Sequence, residues 1–98
     1  MAQINESSGW SFLTNHTHIL VCLSRDSTMT VRNLSLQVGI TERSVQRILS
    51  DLEAAGAISR IKEGRRNRYE IEPDFAAEKV PSEPLRIRDL LKAAKQHR

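Results

Sequence analysis

Apolar residues recur at helical spacing in three successive blocks, and the polar residues between them mark where each helix starts and stops. The first block presents Ile19, Leu20 and Leu23 as a stripe, widened by Val21 and Cys22, the pattern of a helix with one buried face. Thr14 or Asn15 can cap its free amides with a side-chain oxygen, and Arg25-Asp26-Ser27 breaks it. Trp10, Phe12 and Leu13 precede it as bulky anchors. The second block runs from Val31 to Val38 with Leu34 and Val38 four apart. It follows a short strand-like stretch, Met29-Thr30, with Thr30 as its cap. Gly39 then supplies a residue able to turn left-handed. Ile40 points inward, and Thr41 caps a third helix with Val45, Ile48, Leu49, Leu52 and Ala55 on one face and Gly56 just past its end.

Beyond Gly56 the period changes from helical to alternating. Ala57 to Lys62 and Arg68 to Glu72 read as two short strands joined through Glu63-Gly64-Arg65-Arg66-Asn67, with Tyr69 and Ile71 alternating with charged neighbours. Ile58 reads as the residue leaving the helix, and the side of Ile61 is open. Pro73, Pro81 and Pro84 mark a linker. A last helix is predicted from about Glu83, capped by Ser82, with Ile87, Leu90, Leu91 and Ala94 as its stripe. The fold class is mainly α with a small β-hairpin (α+β). Residues 1–9 form a polar arm without periodicity, 10–73 a single domain, and 74–98 a linker and helix available for dimerisation or, alternatively, for folding back on its own domain.

Two helices joined by a short turn containing Gly make a helix-turn-helix unit, and a following hairpin makes it winged. In that unit the second helix lies in the major groove of DNA and its N-terminal residues reach base edges. Opposite the apolar face of residues 42–55 run Arg43, Gln46, Arg47 and Ser50. Arg can bond guanine at two points and Gln can do the same with adenine. Thr41 and Ser44 suit phosphate contact at the positive end of the helix, where Glu42 complements the dipole.

Charge adds to this picture through its distribution more than its total of +3 over 98 residues. From Arg60 to Arg68, five basic residues face one acid, Glu63. Lys62, Arg65, Arg66 and Arg68 are the candidates to meet a phosphate backbone or minor groove from the hairpin at 57–72. A second basic run covers Arg86 to Arg98.

The segment from Met29 to Ile58, with its Val-Gly-Ile and Glu-Ala-Ala-Gly, resembles the helix-turn-helix of bacterial winged-helix regulators of the MarR and ArsR type. SRIKEGRRNRYEI resembles their wing, and WSFLTNHTHILVCL resembles the start of small MarR-like regulators, so the likeness covers about residues 10 to 72. The resemblance implies a repressor or activator that binds double-stranded DNA, is usually a homodimer, and sets its wing on DNA beside the recognition helix. Typical MarR proteins are longer, with extra helices for dimerisation. Metal-sensing ArsR proteins carry paired Cys, or His and Asp ligands, and this chain has neither arrangement.

The remaining chemistry is sparse. His16 and His18 are two apart and diverge on a helix, whereas zinc ligands on one helix want a spacing of three or four. No metal or cofactor is expected. Cys22 reads as a buried, inert thiol that fits a reducing compartment. No phosphate-cradling loop, carboxylate pair in a cleft or nucleophile elbow is present, so no enzyme is expected. No apolar run reaches membrane-spanning length, no leader is evident, and the protein reads as cytoplasmic. No pattern names a small-molecule effector. The alternative is a winged-helix module for protein–protein or RNA contacts. Such modules lose the long-armed stripe or the basic wing, and both are kept here.

Overall fold

The computed structural model describes residues 14–78 and 85–96. The arm at 1–9, the anchors Trp10, Phe12 and Leu13, and Pro81, Ser82 and Pro84 lie outside the described residues. Helix α1 (Asn15–Arg25) begins at Thr14, whose hydroxyl oxygen accepts from the Thr17 amide at 3.4 Å. It buries Ile19, Leu20 and Leu23. Helix α2 (Val31–Val38) is capped by Thr30, which accepts from the Asn33 amide at 3.1 Å. Its C-terminus closes on Gly39 at φ 83°. The Gly39 and Ile40 amides both donate to the Ser35 carbonyl, at 2.8 and 3.1 Å. That left-handed cap reverses the chain within two residues and starts the next helix across α2.

Helix α3 (Glu42–Ala55) begins at Thr41, which accepts from the Ser44 amide at 3.0 Å. It buries Val45, Ile48, Leu49 and Leu52. Ala55, expected inward, is exposed. It sits in the last turn, where the chain already swings out through Gly56. There the Ala57 amide donates to the Leu52 carbonyl and the Gly56 amide to that of Glu53. Ala57 and Ile58 then enter the core.

Strands β1 (Ile58–Glu63) and β2 (Arg66–Ile71) pair antiparallel from Ile58↔Ile71 to Glu63↔Arg66. The five-residue connection expected at 63–67 shrinks to Gly64-Arg65. Gly64 stands at φ 63° while Arg65 stays out of positive φ, as in a hairpin turn with Gly at its first central position. The register puts Ile61 on the face opposite Ile58 and Tyr69, where it is half-buried. Met29-Thr30 is not a strand; the segment before α2 is tied to the hairpin, backbone to backbone, by the Tyr69 amide donating to the Ser27 carbonyl at 2.9 Å.

A second small ladder joins β3 (Ala76–Glu78) to β4 (Leu85–Arg86), and helix α4 (Ile87–Gln96) follows at once. The helix expected from about Glu83 therefore starts later, because Leu85 and Arg86 are taken into strand pairing. The Ile87 and Arg88 amides donate to the Phe75 and Pro73 carbonyls, both at 3.0 Å. Arg86 donates to the Asp74 carbonyl, and the Arg88 guanidinium pairs with the Asp74 carboxylate. These bonds dock α4 on α1 of its own chain. Ile87 is only 1% exposed and joins Ile19, Leu23, Leu34 and Val45 at the centre of the core. One residue of the expected dimer stripe is thus spent internally. Leu91 packs on the core from its edge, and Leu90 and Ala94 are half-buried. No described helix is long and apolar enough to cross a membrane.

Candidate nucleic-acid interface

Helix α3 sets its long polar side chains opposite the residues that anchor it. Arg43, Gln46, Arg47 and Ser50 are exposed, while Val45, Ile48, Leu49 and Leu52 fix the other face. That burial holds the helix at a set depth and rotation, so the outward stripe is presented rigidly. Thr41 and Ser44 stand at its start but are partly committed: Thr41 caps the Ser44 amide and donates its hydroxyl to Ser44 Oγ at 3.0 Å. Ser44 is half-buried, leaving Thr41 the more available of the two. At the solvent side of the same helix, His16 Nε2 meets Asp51 Oδ2 at 3.1 Å and ties α1 to α3.

The basic cluster of the wing divides into two groups. Arg60, from the basic run, donates to Glu53 Oε1 at 2.7 Å and lies 6.0 Å above the Tyr69 ring centroid. Arg68 donates to Glu63 Oε2 at 2.9 Å and to Glu70 Oε2 at 3.0 Å, and these bonds push its guanidinium pKa up from its ordinary value. Lys62, Arg65 and Arg66 are exposed and enter no ion pair among the described residues. The positive potential of the wing is therefore concentrated at its tip.

A cleft of about 170 Å³ separates that tip from the start of α2. Met29, Val31 and Tyr69 contribute to its lining, and Thr28, Thr30, Arg65, Arg66 and Asn67 supply its polar part. Asp26, two residues before Thr28, reads in the sequence only as part of the break after the first helix. Its Oδ1 accepts from the Thr28 amide at 3.0 Å and the Thr28 hydroxyl at 2.9 Å. Those bonds draw its carboxyl below the usual value, helped by the nearby Arg66 charge. The Asp-x-Thr spacing before a helix cap was the available signal, since Asp bonds its own backbone two residues on.

Cys22 is half-buried, and burial pushes its thiol pKa up against the pull of Arg25. A raised pKa disfavours the reactive thiolate. Among the described residues no group of three or more His, Cys, Asp or Glu is placed to hold a metal ion.

Three helices about a Gly turn, followed by a hairpin that returns beside the third, define a winged helix-turn-helix fold. Residues 13–59 match the family model of winged helix-turn-helix DNA-binding domains. Among solved structures, a MarR family transcriptional regulator from Silicibacter pomeroyi superposes with a TM-score of 0.60 at 19% identity, over 98% of this chain and 65% of its own. A MarR family protein from Mycobacterium tuberculosis, solved in complex with salicylic acid, gives 0.57 at 21% identity, over 94% of this chain and 60% of its own. At such identities the likeness shows the shared fold. The chain spans less than two thirds of the length of either protein. No curated protein sequence matches it.

Proposed function

We propose that the protein binds double-stranded DNA sequence-specifically and regulates transcription in the cytoplasm. Helix α3 enters the major groove, and the wing tip rests on the flanking backbone or minor groove. The observation that carries this reading is the exposed stripe Arg43, Gln46, Arg47 and Ser50 on a helix whose other face is locked into the core. Arg and Gln are the side chains that bond guanine and adenine edges at two points. Thr41, Ser44, Lys62, Arg65, Arg66 and Arg68 supply the phosphate contacts, with Lys62, Arg65 and Arg66 already clear of internal ion pairs. The test is selection of bound duplexes from a random pool. A recovered consensus of a few base pairs per protein copy supports the reading, and a pool that stays random after repeated rounds rejects it.

The functional unit we propose is a homodimer. One recognition helix reads only a few base pairs, and two-fold symmetry doubles the site. With Ile87 inside the core, the seam available to a second copy is Leu90, Ala94 and the outer edge of Leu91.

A further inference from the structure

The wing is attached firmly from its base to Tyr69 and lightly beyond it. At the base, Ile58 pairs with Ile71, and Ile58 and Ala57 are buried. Toward the tip, Tyr69 is the last buried side chain; Asn67 is half-buried, and Lys62, Glu63, Arg65 and Arg66 are exposed. A cleft lined by Thr28 to Val31 and by Arg65, Arg66 and Asn67 lies between the tip and the start of α2. An isolated two-stranded hairpin is marginally stable in water, so the direction of the tip depends on what holds its middle. The Tyr69 side chain in the core and the Arg60–Glu53 pair to α3 hold it from one face, and among the described residues one backbone hydrogen bond holds it from its edge, from the Tyr69 amide to the Ser27 carbonyl.

Ser27 is held in turn by the residues on either side of it. The Asp26 carboxylate closes over it onto the amide and hydroxyl of Thr28. The Asp26 amide donates to the Cys22 carbonyl at the end of α1, and its carbonyl accepts from the Met29 amide. The turn is thereby bolted to α1 on one side and leads into the Thr30 cap of α2 on the other. Arg66 of the wing stands close enough to attract the same carboxylate.

We propose that Asp26 is a positioning residue for the wing: by closing the turn at Thr28 it aims the Ser27 carbonyl at Tyr69, and so sets the angle at which Arg65 and Arg66 meet a phosphate backbone. The consequence for DNA rests on the reading given under Proposed function. The consequence for the wing itself does not.

The experiment uses the full chain, labelled with nitrogen-15, as wild type, Asp26→Ala and Asp26→Asn. Amide exchange at Tyr69 and relaxation of residues 62–67 report the wing without DNA, and the dependence of log K on log salt for a random duplex reports its binding to phosphates. In Asp26→Ala, Tyr69 exchange should rise severalfold and tip motion should increase, while the amides of Leu23 and Val45 stay protected. The salt slope should flatten by the equivalent of one to two phosphates, at about 0.9 each. Asp26→Asn should keep most of the wild-type behaviour, because an amide oxygen closes the same turn. Wild-type exchange and relaxation in Asp26→Ala would overturn the proposal. So would equal loosening in both variants, which would assign the effect to the charge facing Arg66 instead of the turn. If Asp26→Ala loses core protection as well, Asp26→Glu decides, since the longer side chain keeps the charge but does not close the two-residue turn: faster Tyr69 exchange supports the brace, and unchanged exchange rejects it. A wild-type protein that binds no duplex would remove the DNA-binding reading alone, since the exchange measurements still judge the brace.

Discussion

Arg68 Nε donates to Glu63 Oε2 at 2.9 Å across the wing, on a diagonal set by the pairing of Ile61 with Arg68. A second bond, from Nη1 to Glu70 Oε2 at 3.0 Å, shares the guanidinium between two carboxylates. All three groups are partly or largely exposed, so these pairs contribute little to stability. Their larger effect is on the field outside the wing, where two acids outweigh one base. These bonds use Nε and Nη1 and leave Arg68 only Nη2 as a fully free nitrogen for a phosphate.

Replacing both acids, as Glu63→Gln with Glu70→Gln, should release Arg68 and remove two repulsive charges. Affinity for any duplex should rise, and the slope of log K against log salt should steepen by about 0.9 if Arg68 takes up one phosphate. Fluorescence anisotropy across a salt series measures both. A weaker or unchanged affinity would show that this face of the wing points away from DNA.

Arg47→Ala and Gln46→Ala act on sequence discrimination. Each side chain is exposed on the stripe opposite the core, and a good two-point contact with a base is worth about 1–3 kcal/mol of discrimination. The quantity to compare is the ratio of affinities for the selected duplex and a random one. Variants that keep the wild-type ratio would exclude base contact by these residues.

Much of this helical frame is legible in the chain because its signals are local. Thr14, Thr30 and Thr41 each cap the helix they precede, and Gly39 and Gly56 stand at left-handed ends. The wing is less legible. Glu63 to Asn67 reads as a polar loop, and only the pairing of Glu63 with Arg66 shows that the turn is Gly64-Arg65. The ion pairs of Arg60 and Arg68 depend on that register and on the approach of α3, and sequence distance encodes neither. The C-terminal stripe illustrates a further limit. Periodicity says that Ile87 is buried, but not whether the covering surface is its own chain or a second one. Asp26 reads only as part of a helix break, and its bonds to the Thr28 amide and hydroxyl appear once the turn is folded.

Gly39 offers a prediction on stability in which no side-chain packing takes part. Its φ is 83°, and a Cβ added there would meet nothing within 4 Å. Gly39→Ala should therefore cost only the left-handed strain, about 1–2 kcal/mol. Asn tolerates that conformation better, so Gly39→Asn should cost less. Urea unfolding followed by circular dichroism gives both values. An alanine variant as stable as wild type would mean that the α2–α3 turn can adopt another path.

Arg65→Ala with Arg66→Ala tests the wing tip. Both side chains are exposed and lie beyond the last buried residue of the hairpin. Binding to phosphates carries no sequence information, so the double variant should weaken selected and random duplexes alike. The salt slope should fall by about 0.9 for each phosphate that the variant no longer neutralises. A loss confined to the selected duplex would mean that these residues read bases or groove shape, and an unchanged slope would mean that the tip stands clear of DNA.

The dimer prediction turns on the division of labour along α4. Ile87 is buried against its own chain and Leu91 packs on the edge of that core, whereas Leu90 and Ala94 are half-buried without belonging to it. Charges at Leu91 would therefore disturb the fold as well as an interface. Leu90→Asp with Ala94→Asp places them where a second copy would lie, and unpaired charges in an apolar seam are costly to bury. A two-fold dimer would set its recognition helices about 34 Å apart, one turn of the duplex. The selected site should then be an inverted repeat with half-sites at that spacing. Sedimentation velocity at micromolar concentrations should show a wild-type dimer and a folded, monomeric variant, with circular dichroism confirming the fold. The variant should lose the selected duplex far more than a single half-site. A wild type that stays monomeric both free and on DNA, together with a site lacking two-fold symmetry, would mean that α4 serves only to complete the core of its own domain.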